Sequence, residues 1–215
     1  MIRIVNSLKF FTGFSVLLSS AVLSLSPTAV QANDASLLEV QTSAPASSSS
    51  NEEPDAAARA TVAQWIRNGN DAYVEADYEE AIAAYSKALE LYNRSAYAYY
   101  NRGNAYRKLK NEQAAFQDYT LAIRLNPDNY YAYYYRGILH FDVEEYDRAL
   151  QDFNAALALT DQNPALFEKR GETYLKAEDK KSANEDFKKA IDLYEKQGKE
   201  RKVELLRRKV GRAVR

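Results

Sequence analysis

The stretch YYYRGILHFDVEEYDRALQDFNAALAL, residues 133–159, contains the pattern that decides the fold. Tyr133, Gly137 and His140 lie at i, i+4 and i+7, the spacing of one face of an α-helix. After a short break, helical spacing returns at Ala149, Phe153, Ala156 and Leu157. The stretch therefore predicts two helices joined by a turn.

This pattern recurs four times at an interval of 34 residues. The glycines are Gly69, Gly103, Gly137 and Gly171. The alanines twelve residues later are Ala81, Ala115, Ala149 and Ala183, and the aromatic residues four before each glycine are Trp65, Tyr99, Tyr133 and Phe167. A period that does not drift over four copies predicts similar two-helix units stacked on one another.

These residues, in this order, resemble the tetratricopeptide repeat. The resemblance covers residues 62–197, which divide into the repeats 62–95, 96–129, 130–163 and 164–197. It implies an all-α fold, a right-handed superhelical solenoid of helix–turn–helix repeats with a concave and a convex side. Only the second repeat ends on the proline of the family, Pro127.

Residues 198–215 follow the last repeat and are rich in lysine and arginine. Val203, Leu206 and Val210 share one helical face, and the cations lie on the others. Because the last repeat of a solenoid exposes an apolar side, this segment is predicted to be a basic capping helix.

The N-terminal residues have a different composition. Residues 1–32 contain Arg3 and Lys9, then an apolar run and a small-residue site around Ala32, and they resemble a bacterial secretory signal peptide. An uncleaved membrane anchor is the alternative. Residues 33–58 are rich in serine, alanine and proline, which predicts a disordered linker. The expected location is an exported compartment, a periplasm or a thylakoid lumen.

Composition narrows the chemistry. The 215 residues include no cysteine and one histidine, so a thiolate nucleophile is excluded and the commoner zinc sites are too. The net charge of −1 argues against a nucleic-acid partner. His140 occupies an inter-helix packing position and is predicted to be structural. No glycine-rich phosphate loop is present, and we expect neither a cofactor nor enzymatic activity.

A second face of each first helix lies beside the core face. It holds Tyr100, Asn104 and Arg107 in the second repeat, and the charged Glu168 and Glu172 in the fourth. In the family this face lines the concave groove that holds a partner's peptide or helix, and tyrosine suits such surfaces. The predicted groove residues are Asn70, Tyr73, Tyr97, Tyr100, Asn101, Asn104, Tyr131, Tyr134, Tyr135 and Ile138.

One subset of the family clamps the terminal carboxylate of chaperones. Asn70 and Asn101 match two positions of that clamp, but Ile66, Tyr131 and Tyr135 stand where it needs cations. Chaperone C-termini are therefore not the expected partners, and the sequence predicts a protein–protein interaction scaffold with a different client.

Charge is distributed unevenly between the two ends. Residues 51–92 contain nine acids and three bases, whereas residues 198–215 contain eight bases and two acids. This asymmetry leaves two alternatives open: a structural subunit that self-assembles through its acidic and basic ends, and contact with a membrane surface through Arg207, Arg208 and Lys209. The oligomeric state is left open.

Overall fold

The computed structural model describes residues 55–213, which form nine α-helices and no strand. The helices are α1 Ala56–Val74, α2 Tyr78–Leu91, α3 Ala96–Lys108, α4 Glu112–Leu125, α5 Tyr130–Asp142, α6 Tyr146–Leu159, α7 Pro164–Lys176, α8 Lys180–Lys196 and α9 Glu200–Ala213. Each odd-numbered helix up to α7 packs against the helix that follows it, and each pair contacts the next. The prediction of an all-α solenoid of two-helix repeats is confirmed.

Helix α1 begins earlier than the sequence suggested. The linker was predicted to extend to residue 58, but Asp55 caps the helix by accepting a hydrogen bond from the Ala58 amide at 2.8 Å. Because an N-cap carboxylate satisfies a free amide of the first turn, it can start a helix inside a segment of linker-like composition. The predicted signal peptide and the rest of the linker lie outside the described residues.

The glycine of each repeat marks the closest approach of its two helices. A β-carbon built on Gly137 would lie 2.8 Å from Cε1 of Phe153 on the partner helix. The other three repeats place Tyr85, Tyr119 and Phe187 against their glycines in the same way. Glycine and aromatic residue therefore recur every 34 residues because, in every repeat, one ring packs on helix backbone that carries no side chain.

The turn inside each repeat has a constant backbone conformation. Ala76, Lys110, Glu144 and Glu178 all have φ between 60° and 64°, in the left-handed region. Glycine adopts this backbone conformation without strain, but all four of these residues carry a side chain. A side chain at this position therefore costs backbone energy in all four repeats.

An arginine links each later repeat to the one before it. Arg102 on α3 donates two hydrogen bonds to Asp118 on α4, at 2.8 and 2.9 Å, and a third to Ser86 on α2 at 3.0 Å. Arg136 and Arg170 repeat this arrangement. Their partners are Asp152 with Thr120, and Asp186 with Asn154.

The first repeat lacks this link. The positions equivalent to Arg102 and Asp118 hold Asn68 and Ala84. No repeat helix precedes α1 in the described part of the chain, so an arginine there would have no equivalent of Ser86 to reach. The arginine is therefore tied to contact between repeats, which explains its absence from the first one.

Helix α9 covers the apolar end of the last repeat, as predicted for a cap. Val203 and Leu206 are buried in the cluster built around Phe187. Three cations of the helix reach carboxylates of this chain. Arg207 pairs with Glu195, Arg208 with Glu204, and Lys209 with Glu172 of α7. Within residues 55–213, none of the helices combines the length and apolarity that crossing a bilayer requires.

Candidate functional site

The first helices of the second and third repeats carry the aromatic part of the predicted groove. We call the predicted residues Tyr97, Tyr100, Tyr131, Tyr134 and Tyr135, together with the Arg107 side chain beside them, the tyrosine face. All are on α3 or α5. The face therefore depends on how two successive repeats pack on each other.

Tyr100 lies at the centre of the tyrosine face. Its ring centroid is 6.2 Å from that of Tyr131 and 6.3 Å from that of Tyr135, both on the next repeat. It also contacts the buried ring of Tyr119 at 6.2 Å. These separations are typical of favourable aromatic pairs. The rings of two repeats thus form one continuous cluster.

The cluster continues along α5. The rings of Tyr134 and Tyr135 lie 5.1 Å apart, and Tyr134 is 6.1 Å from Phe153 in the core. Burial raises the pKa of Tyr100 and of Tyr134 to about 12. The shift keeps both hydroxyls protonated further into the alkaline range than an exposed tyrosine, and at neutral pH both can donate hydrogen bonds.

Two tyrosines provide the accessible surface. Tyr97 is 53% exposed and Tyr131 is 44% exposed, whereas Tyr100, Tyr134 and Tyr135 are half-buried. The Tyr131 ring also stacks on Tyr130 at 4.0 Å. The arrangement is a packed aromatic cluster that presents the Tyr131 ring to solvent, and Tyr97 adds a second exposed ring on α3.

The predicted asparagines have mostly internal roles. Asn104 is 8% exposed, and its side-chain oxygen accepts a hydrogen bond from the Tyr119 hydroxyl at 2.8 Å. The side chain predicted to face the groove thus also has an internal role, because a buried tyrosine hydroxyl needs an acceptor inside the repeat. Asn70 accepts from Tyr85 in the same way and also contacts the Tyr97 hydroxyl at 3.4 Å.

The third repeat explains this pairing of tyrosine with asparagine. It has Phe153 in place of the buried tyrosine and Ile138 in place of the asparagine. Ile138 packs against the core cluster that contains Phe153. In the third repeat the hydroxyl and its acceptor are therefore absent together, whereas the fourth repeat combines Phe187 with Glu172, which pairs with Lys169 and Lys209 instead.

The remaining predicted positions lie near the edges of the face. Asn101 donates to the backbone carbonyl of Tyr97 on its own helix at 3.0 Å. Tyr73 on α1 packs edge-on against Tyr78 at 5.4 Å and is partly buried. Asn70 and Asn101, which match the clamp of carboxylate-binding relatives, thus both make hydrogen bonds within the chain.

Arg107 is the functional candidate that sequence reasoning left without a role. Its Cζ atom lies 4.6 Å from the ring centroid of Tyr135. The equivalent positions of the other repeats hold Tyr73, Phe141 and Leu175. The signal that could have identified it is this single cation in an otherwise apolar and aromatic row.

The fourth repeat ends the aromatic surface with charged residues that neutralise one another. Glu168 accepts a hydrogen bond from Tyr194 at 2.8 Å, and Lys169 donates one to Glu172 at 2.7 Å. Burial opposes ionisation of Glu172, but hydrogen bonds from Lys169 and Lys209 hold its pKa below the usual range. The carboxylates of the fourth repeat, next to the tyrosine face, are therefore already bound by donors of the chain.

The residues that could have carried other chemistry have structural surroundings. His140 is buried, its Nδ1 lies 2.7 Å from a Glu145 carboxylate oxygen, and its ring packs edge-on against Phe116 at 5.1 Å. Across residues 55–213, no cluster of three or more histidine, aspartate or glutamate side chains could hold a metal ion.

Four protein-family models match the chain, and all four describe the same kind of repeat. Models described as tetratricopeptide repeats match residues 96–129, 118–164 and 165–197, and one described as a TPR repeat matches residues 69–110. Among curated proteins, none matches the chain.

Several solved structures are similar to the chain. A crystal structure of MamA is 27% identical with a TM-score of 0.61, covering 64% of this chain and 81% of that one. The first TPR of Spaghetti (RPAP3), bound to the HSP90 peptide SRMEEVD, is 26% identical with a TM-score of 0.52, covering 53% and 90%. The Arabidopsis OM64 TPR domain is 29% identical with a TM-score of 0.53, covering 54% and 96%.

Proposed function

The chain belongs to the tetratricopeptide repeat family, and we propose that it is a non-enzymatic scaffold that binds a peptide or helix of a partner protein on its tyrosine face. Members of this family typically act as interaction modules. The similarity to a repeat domain bound to an HSP90 peptide supports a protein partner. The signal-like pattern of residues 1–32 leads us to place this activity in an exported compartment.

The observation that carries the proposal is the exposure of Tyr131, whose ring packs on Tyr100 and Tyr130, together with the exposure of Tyr97, whose hydroxyl contacts Asn70. Tyrosine offers a large contact area and a hydroxyl at a small cost in rotamer entropy, and it is enriched at binding hot spots. Rings already held by their neighbours lose less freedom on binding. The tyrosine face therefore supports recognition of a partner's apolar and hydrogen-bonding groups.

The geometry disfavours capture of a chaperone's terminal carboxylate. The positions that require cations hold Ile66, Tyr131 and Tyr135, and Asn70 is occupied by Tyr85. Contact through the basic cap receives less support as well, because Arg207 and the neighbouring cations pair with carboxylates of the chain. The same pairing weakens the case for assembly through oppositely charged ends.

The test uses the two exposed rings and a matched control. Tyr97→Ala combined with Tyr131→Ala removes accessible aromatic surface, while Phe116→Ala removes a partly exposed ring on the second helix of the second repeat, which packs on His140. In a crosslinked pull-down from the source cells, a protein captured by the wild type and by Phe116→Ala should be lost from the tyrosine variant. Circular dichroism checks that all three forms remain helical.

A partner retained by the folded tyrosine variant would refute the assignment. Loss from both variants would show that the pull-down reports general damage to the repeats. Recovery of additional copies of this chain alone, by all three forms, would favour the self-assembly alternative.

A further inference from the structure

We infer that the partner segment carries an acidic side chain whose carboxylate binds the Arg107 guanidinium. The inference rests on the proposed function, since Arg107 is part of the same tyrosine face. It specifies the chemistry of the segment: one aspartate or glutamate with apolar or aromatic neighbours. Its basis is that Arg107 is a partly buried cation with no anion beside it.

The other arginines on the first helices of the later repeats have carboxylate partners. Arg102, Arg136 and Arg170 each donate two hydrogen bonds to one aspartate. No ion pair within the described residues involves Arg107. Arg107, the only charged residue of the tyrosine face, thus has no counter-charge from the described part of the chain.

The surroundings of Arg107 satisfy it only in part. Its guanidinium lies over the Tyr135 ring, whose face attracts a cation but accepts no in-plane hydrogen bond, and it hydrogen-bonds to the neutral side chain of Tyr119. Its Nε is buried with no hydrogen-bond partner in the structure. A carboxylate accepts paired, charge-assisted hydrogen bonds from a guanidinium and so provides what the rings cannot.

Packing of the repeat does not require a cation at this position. The equivalent residues Tyr73, Phe141 and Leu175 show that aromatic and aliphatic side chains fill the same place in the other repeats. For packing alone, an arginine here would therefore have no advantage over the residues at the equivalent positions of the other repeats. Its charge is better explained by a ligand than by the interior.

Charge along the face limits the partner to one acidic contact. Beyond the third repeat, Glu172 is already paired with Lys169 and Lys209, and Glu168 accepts a hydrogen bond from Tyr194. This end of the surface therefore calls for no further charge on the ligand. The Tyr135 ring beside Arg107, with the Tyr100 ring next to it, favours apolar or aromatic flanking residues.

The experiment selects ligands without assuming the natural partner. A phage-displayed library of random 12-residue peptides is enriched on the full-length wild-type chain, and the enriched sequences are synthesised. Their affinities are measured by fluorescence polarisation for the wild type, Arg107→Leu, Arg107→Lys and the Tyr97→Ala/Tyr131→Ala variant. Arg107→Leu copies the residue of the fourth repeat, so it should fold.

We expect the wild type to enrich peptides that share one aspartate or glutamate. Replacing that acid by its amide should weaken binding to the wild type by roughly tenfold to a hundredfold, the range for hydrogen bonds between charged groups. The same replacement should leave binding to Arg107→Leu unchanged. Arg107→Lys should recover only part of the affinity, because a lysine lacks the two-pronged geometry.

Other outcomes would overturn the inference in distinguishable ways. An equal loss for the wild type and Arg107→Leu would show that the acid binds elsewhere. Enriched peptides without an acid, lost by the tyrosine variant, would overturn the Arg107 contact and leave the proposed function standing. Peptides insensitive to the tyrosine variant, or no enrichment at all, would overturn the proposed function itself.

Discussion

Replacing Arg102 by methionine should destabilise the protein by isolating the carboxylate of Asp118. Asp118 is 3% exposed, and Arg102 donates two hydrogen bonds to it at 2.8 and 2.9 Å. Methionine keeps most of the aliphatic stem of the arginine, so the variant changes charge and hydrogen bonding more than packing. The remaining carboxylate has no other hydrogen-bond donor from a side chain among the described residues.

The expected loss follows from the burial of the pair. Removing one partner of a buried ion pair typically costs 3–5 kcal/mol, because the other charge is left without compensation. The Arg102 side chain is 19% exposed, so water can reach part of the site. We therefore expect a loss near the lower end, about 3 kcal/mol at pH 7.5.

The loss should depend on pH in a defined direction. Burial raises the pKa of Asp118 in the folded protein, and Arg102 opposes that shift. Without Arg102 the folded-state pKa rises further above that of the unfolded chain. The folded variant then binds a proton that the unfolded chain releases, so its stability relative to the wild type increases as the pH falls towards 4.

Urea unfolding followed by circular dichroism, at pH 7.5 and pH 4.5, measures both effects. The control is Arg102→Met combined with Asp118→Leu, which removes the pair together and should recover most of the stability. The first repeat, with Asn68 and Ala84, already lacks the pair. A single variant as stable as the wild type, a loss that is independent of pH, or a double variant no better than the single one would refute the reasoning.

Two further predictions concern single repeats. Tyr119→Phe removes the hydrogen-bond donor to buried Asn104 and should lower the free energy of unfolding in urea by about 1–3 kcal/mol. Tyr119→Phe combined with Asn104→Ile copies the Phe153–Ile138 pairing and should recover part of that stability. A double variant no more stable than the single one would contradict the pairing. Lys110 has a left-handed φ of 60°, so Lys110→Gly should relieve backbone strain and raise the free energy of unfolding by roughly 0.5–1 kcal/mol in thermal unfolding. Lys110→Ala keeps a β-carbon and should not raise it. An equal gain for both variants would show that the backbone is not strained there.

Much of the fold could be predicted from the sequence because its main constraint is local and repeated. A ring must pack against a bare helix backbone, so Gly137 and Phe153 recur with their equivalents every 34 residues. The cap could be predicted because its apolar face has helical spacing. The start of α1 was placed too late, because a single capping side chain, Asp55, outweighed the composition around it.

The candidate site was predicted less completely. Helical spacing placed Tyr100, Tyr134 and Arg107 on one face, and the structure brings the rings together. It could not show that Asn104 serves the interior, because that depends on the hydroxyl of Tyr119 on the other helix. Residues that share a helical face can differ in whether they meet solvent or a neighbouring helix.

The sequence by itself determined the number of repeats, the pairing of their helices and the residues at each closest approach, because these follow from periodicity within one chain segment. Only the tertiary structure decided which charges are compensated. Arg102 reaches Ser86 across a repeat boundary, Lys209 reaches Glu172 from the cap, and Arg107 meets rings instead of a carboxylate. Such pairings depend on the rotation and separation of successive repeats, to within the length of a hydrogen bond, and a linear period does not specify these quantities.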